Sequence, residues 1–127
     1  MARTVDLLVG TDEPLSAVTT VIERALGGIF TDPGTDDAPA HLSYDRTDIY
    51  AGPHHFDDGD LQAPDGTPLD LHSRYPHWVE VRDLDRDPDR QLATARQLYE
   101  AMKATGKWKL VLADDMQKVI DTYEPAK

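Results

Sequence analysis

The chain has no cysteine. That absence excludes a disulfide framework, thiolate zinc or iron–sulfur ligation, and any cysteine nucleophile. Long apolar runs are missing as well, and no window approaches the roughly 20 residues that a membrane-spanning helix needs. The opening stretch from Met1 to Gly10 holds an apolar segment interrupted by Asp6, too short and too polar for a secretory signal core. The expectation is a soluble, cytoplasmic protein. Positive charge is scarce: 13 Lys and Arg stand against 24 Asp and Glu, for a net charge of −11. Such a balance argues against a nucleic-acid or anionic-membrane binder and points to a basic partner. Nucleophile and phosphate-binding signatures are absent too, with no Gly-x-Ser-x-Gly, Ser-x-x-Lys or Gly-x-x-x-x-Gly-Lys. The sequence by itself names no reaction.

What is present fits one domain spanning residues 1–127, long enough to bury about two-thirds of its surface without covalent staples. The negative charge is unevenly placed. Residues 1–30 carry −2 and residues 71–127 carry 0, whereas residues 31–70 hold ten Asp, no Glu and only Arg46, for −9. Pro33-Gly34, Gly52-Pro53, Asp58-Gly59 and Asp65-Gly66-Thr67-Pro68 lie in the same region, so it reads as an acidic, turn-rich insertion over about 31–74. Two readings are open for it, a solvated set of turns or a partner surface.

Hydrophobic patterning outlines the elements. Thr4 to Val9 is apolar at nearly every position after Asp6 and predicts a buried, central strand. Thr11-Asp12-Glu13-Pro14 offers a helix start, and Leu15, Val18, Val21, Ile22, Ala25 and Leu26 carry helix one over about 13–26 to a stop at Gly27-Gly28. Ile29-Phe30 suggests a short strand, and His41 to Tyr50 suggests strand residues on either side of a turn. From Ala51 to Arg74 the pattern weakens into a functional loop or unseen strands. His77 to Leu84 alternates, with Val79 and Val81 on one face and Trp78, Glu80 and Arg82 on the other. Asp87-Pro88 caps a second helix with Leu92, Ala95, Leu98, Tyr99 and Met102 on its stripe, and a hairpin of 108–113 and 118–123 closes the chain. Two helices of one stripe each, separated by strands, predict an α+β two-layer sandwich. Both helices would pack on one face of a mixed or antiparallel sheet of ferredoxin-like type.

Three constellations bear on chemistry. Pro53-His54-His55-Phe56-Asp57-Asp58-Gly59-Asp60 offers imidazole and carboxylate ligands to a divalent metal, with His41, His72 and His77 as remote partners. Adjacent residues point to opposite faces of an extended chain, however, and an acidic loop tip is the competing reading. Asp83-Leu-Asp-Arg-Asp-Pro-Asp89 has the spaced acids of a calcium loop, but that register puts Pro88 where glycine belongs and Thr94 where the bidentate acid belongs. Charge at a helix N-terminus explains those acids better. Tyr44, Tyr50, Phe56, Tyr75 and Trp78 flank or interrupt the acidic region, an aromatic and carboxylate mixture suited to anchoring Lys and Arg of a partner.

The plan of a small, Cys-free, acidic domain ending in Trp108-Lys-Leu-Val-Leu-Ala-Asp-Asp-Met-Gln-Lys-Val-Ile120 resembles bacterial immunity proteins that guard against polymorphic or contact-dependent toxins. That resemblance implies a stoichiometric antitoxin-type inhibitor covering a basic toxin domain, often a nuclease, and it transfers no individual residue. The leading expectation is therefore a non-enzymatic binding protein without cofactor. It would contact a basic protein through Asp48, Tyr50, Phe56, Asp57, Asp58 and Asp60. The alternatives are a metal-dependent or small-molecule enzyme using His54, His55 and Asp57, and a homo-oligomeric subunit such as a homodimer.

Overall fold

The computed structural model describes residues 4–31 and 39–125. In chain order the elements are β1 (Val5–Gly10), α1 (Leu15–Leu26), β2 (Ala40–Tyr44), β3 (Thr47–Gly52), α2 (Leu71–Arg74), β4 (His77–Asp83), α3 (Pro88–Lys103), β5 (Lys109–Asp114) and β6 (Lys118–Tyr123). The strands form one sheet in the order β2-β3-β4-β1-β5-β6, with every neighbouring pair antiparallel. The expected α+β class is met. The sheet, however, has six strands and the chain a third, four-residue helix. Ile29 and Phe30 form no strand: Ile29 is exposed, while the Phe30 N–H donates to Glu23 Oε2 at 2.8 Å and its ring packs on the core. The acids Asp32, Asp36 and Asp37 lie outside the described residues.

β1 is buried at all six positions because it has a strand on each side and a cover on each face. Alternation sends Val5, Leu7 and Val9 to one face, where they join Leu42, Ile49, Val79, Val81, Leu110 and Leu112 beneath α1 and α3. The helix stripes answer with Val18, Ile22 and Leu26 from α1 and Ala95, Leu98, Tyr99 and Met102 from α3. Local chemistry sets the helix ends. Gly27 closes α1 with φ of 81° while its N–H reaches the Glu23 carbonyl at 2.7 Å, a left-handed geometry that glycine adopts without Cβ strain. Asp87 caps α3 by accepting from the N–H groups of Asp89 and Arg90 at 3.1 and 3.2 Å, with Pro88 in the first helical position.

The acids before α3 serve the same turn. The buried Asp83 carboxylate accepts Arg90 Nε at 2.6 Å and Nη2 at 2.9 Å, and also the N–H groups of Asp85 and Asp87. Arg90 and Arg46 then share Asp85, tying the β2–β3 hairpin to the start of α3. These cations hold the Asp83 and Asp85 carboxyls below their ordinary range.

The opposite face is covered differently. Leu8, Val111, Ala113 and Val119 pack against Leu61, Leu71 and Tyr75 from the 53–76 segment, with Phe56, Leu69, Trp78 and Met116 at the margin. The turn-rich segment is therefore an ordered cover. It is internally braced by Gly59 N–H to the Leu69 carbonyl and Leu69 N–H to the Leu61 carbonyl, both 2.9 Å, around a bridge between Gln62 and Pro68. Gly10 lets this cover approach β1, since a Cβ there would sit 2.6 Å from the Arg74 carbonyl oxygen. No residue of β2 or β3 belongs to this second cluster among the described residues, so the cover stops over β4.

Leu71 anchors the segment and is fully buried. Leu71→Ala should cost about 2–4 kcal/mol in denaturant unfolding. It should also make the 53–76 segment the first place cut in limited proteolysis. A variant that loses stability without local cutting would show that the segment does not detach on its own.

Candidate functional site

Toward the half of the sheet that the 53–76 segment leaves uncovered, strand register lines up polar and aromatic side chains, of which Glu80 and Asp6 are buried. His41 lies opposite Tyr50, Tyr50 opposite Glu80, and Glu80 opposite Asp6. Four side chains thus stand in one row across β2, β3, β4 and β1, on the face away from the helices. At the usual spacing between strands the row runs about 14 Å. Ser43, Asp48 and Arg82 form a parallel row beside it.

The contacts along the rows are continuous. His41 stacks on Tyr50 with ring centroids 4.7 Å apart and planes 16° from parallel. Its Nε2 meets Asp48 Oδ1 at 2.9 Å, and the same oxygen accepts the Ser43 hydroxyl at 3.0 Å. From the other side the Arg82 guanidinium lies 5.6 Å from the Tyr50 ring centre while its Nε donates to Glu80 Oε1 at 2.7 Å. Asp6 ends the row. It accepts from Trp78 Nε1 at 3.0 Å and from the Thr4 hydroxyl at 2.9 Å.

Asp6 is fully buried, and its carboxyl is pushed up to about 6. Loss of hydration is the main cause, the negative charges of Glu80 and Asp115 add to it, and the hydrogen bonds from Thr4 and Trp78 pull the other way. A buried carboxylate beside a second one is costly to keep charged, and such arrangements are typical of places where stability yields to function.

Asp48 and Tyr50, two of the residues expected to bind a partner, are on this surface, and Phe56 borders it by meeting Trp78 edge-on at 5.5 Å. Asp57, Asp58 and Asp60 stand on the exposed outside of the 53–76 segment, where they shape its turns. Asp60 Oδ2 accepts the Asp57 N–H at 2.9 Å, and the Asp58 carboxylate takes both the N–H and the hydroxyl of Ser73. Those donors hold the Asp58 carboxyl below its ordinary value. Much of the acidic block is thus turn chemistry, as Asp65 shows again by accepting the Thr67 N–H at 3.0 Å.

The expected metal ligands do not converge. His54 uses both ring nitrogens internally, Nε2 toward the Tyr75 carbonyl and Nδ1 as acceptor from the Phe56 N–H at 3.0 Å. His77 Nε2 contacts the Glu13 carbonyl at 2.7 Å, His41 is held by Asp48, and His55 and His72 are exposed. No group of three His, Asp or Glu among the described residues is placed to hold a metal ion. A cavity of about 730 Å³ lies at the far end of β1, lined by Thr11, Glu13, Arg74, Lys107 and Lys109 and away from the row. Lys107 there pairs with Glu13 at 3.4 Å, and Lys109 pairs with Glu124 at 2.9 Å.

Arg82 and Asp6 did not stand out as site residues in the sequence, and His41 and Glu80 did not stand out as part of a docking surface. For Asp6 a signal existed, as the one ionisable residue inside an otherwise apolar, buried strand. The chain matches no protein-family model, and no curated protein or solved structure shows significant similarity to it.

Asp6→Asn tests the burden on this carboxyl. Because the folded-state value lies above the ordinary 3.8, the folded protein takes up the proton first. The contribution to stability is then complete below about pH 4 and is lost as pH rises through about 6. Asparagine keeps an acceptor for Trp78 without the charge. The variant should match the wild type near pH 4 and exceed it by roughly 2–3 kcal/mol near pH 7.5. Equal unfolding free energies at both pH values would mean that Asp6 ionises without penalty.

Proposed function

We propose that the chain is a non-enzymatic binding protein that docks a positively charged protein on the open half of its sheet. It would act as an immunity or antitoxin-type inhibitor that occludes a basic toxin domain such as a nuclease. The observation that carries this reading is the set of partly exposed side chains His41, Asp48, Tyr50 and Arg82 on the uncovered half of the sheet, with the buried carboxyls of Glu80 and Asp6 next to them. An uncovered sheet face with aromatic rings and a partly exposed carboxylate suits a protein partner better than a small substrate, which wants a concave site. The net charge of −11 supplies steering toward a basic partner, and carboxylates placed against its phosphate-binding Lys and Arg would block substrate.

The architecture supports the same reading. A ferredoxin-like reading of this sandwich takes β3-β4-β1-β5 with α1 and α3 as its core and β2 and β6 as a strand added at each edge. In a two-layer sandwich the face opposite the helices is the natural docking surface. Here the 53–76 segment covers one half of that face and leaves His41, Asp48, Tyr50 and Arg82 at least partly exposed in the other.

Immobilised protein exposed to lysate of its source cells should retain a basic protein at low salt and release it as salt rises. Asp48→Lys combined with Tyr50→Ala should weaken that retention by about tenfold or more. Asp57→Lys, which makes the same charge change outside the row, should alter it little. Equal retention by both variants, or none by the wild type, would sink the proposal.

A further inference from the structure

Resting on the docking reading above, we infer that Tyr50 and Glu80 form a recognition site for an arginine side chain of the partner. In the free protein the chain's own Arg82 occupies that site. Three observations carry this. The first is the match of chemistry, since a guanidinium already lies 5.6 Å from the Tyr50 ring centre with its Nε on Glu80 at 2.7 Å. A planar cation over an aromatic ring and beside a carboxylate is the combination that favours arginine over lysine, whose compact ammonium stacks poorly and stays hydrated.

The second is that the recognising groups are buried or braced while the occupant is half exposed. The Glu80 side chain is 9% exposed and that of Arg82 is 47% exposed. Tyr50 is held from the β2 side by the His41 ring, which Asp48 in turn fixes through a 2.9 Å contact. The site is therefore assembled before any partner arrives. The third is that Arg82 fills it incompletely. Its direct cross-strand neighbour is Asp48, yet Asp48 is committed to His41 and Ser43, so Arg82 leans along its own strand to Glu80. Only Nε donates there, and among the described residues its two terminal nitrogens make no hydrogen bond. A partner's arginine, approaching end-on, can offer Glu80 a two-pronged contact that the internal residue does not make. On displacement Arg82 swings into solvent, and the local charge is unchanged.

Capped hexa-arginine and hexa-lysine peptides serve as probes, titrated calorimetrically at low ionic strength against the wild type, Arg82→Ala, Tyr50→Leu and Tyr50→Phe. The wild type should prefer hexa-arginine. Arg82→Ala should raise the arginine-over-lysine preference by about two- to fivefold, the range of an exposed cation–ring contact. Tyr50→Leu should abolish the preference and Tyr50→Phe should keep it. The Arg82 side chain is about half exposed, so its variant folds and reports even if Tyr50→Leu does not. If Arg82→Ala strengthens both peptides equally, or Tyr50→Leu leaves the preference intact, the inference is overturned. The docking reading survives that result as long as Asp48→Lys weakens both peptides. If neither peptide binds, the inference falls, and the docking reading is decided by retention of a basic protein alone.

Discussion

The two-sided burial of β1 is the constraint on which the rest of the molecule depends. A central strand with antiparallel neighbours on both edges satisfies its backbone, but each face must still be kept from water. Two amphipathic helices cover one face along Val5, Leu7 and Val9. Among the described residues the other face has no helix of comparable length, and an irregular segment rich in Asp, Pro and Gly does the work by inserting Leu61, Leu71 and Tyr75 over Leu8 and β5. Where that segment ends the sheet turns polar, and Asp6 sits at the boundary, buried yet ionisable.

Charge in this protein divides into two kinds of use. One part is internal: Asp83, Asp85 and Asp87 organise the turn into α3 with Arg90, and Asp58, Asp60 and Asp65 brace the covering segment. The exposed contacts among these contribute little each, the Asp83 carboxylate is buried, and all of them fix local geometry. The other part is the row on the face away from the helices, where Asp48 is partly exposed, Glu80 and Asp6 are buried, and the rings of His41 and Tyr50 lie alongside. A net charge of −11 alone does not separate these uses, since both raise the same count.

Burying a carboxylate at neutral pH opposes folding, and a chain shaped for stability alone would place an apolar residue at position 6. Alternation already supplies Leu8 on the same face. The neighbouring Glu80 adds repulsion, while the Trp78 and Thr4 contacts recover only part of the loss. The face that carries this burden also lacks a cover over β2 and β3 among the described residues, and the two facts together give the docking reading its weight.

Much of the framework was legible in the residue order. The central first strand, both long helices, the Asp87-Pro88 cap, the glycine stop after α1 and the closing hairpin follow from local periodicity and turn chemistry, which act over a few neighbouring residues. The turn of that hairpin is where Asp115 and Met116 take positive φ values of 52°. The order of residues 53–76 was not legible, because Leu61, Leu71 and Tyr75 follow no helix or strand period and are held only by distant strands. Nor was the row of His41, Tyr50, Glu80 and Asp6, whose members are far apart in sequence and meet only through the pairing of four strands. The sequence by itself determined which segments become strands and helices and which face of each is apolar, since those depend on spacing of 2.0 and 3.6 residues. Only the tertiary structure decided which polar residues share a surface, because strand order and register are set by how the whole sheet buries its apolar faces.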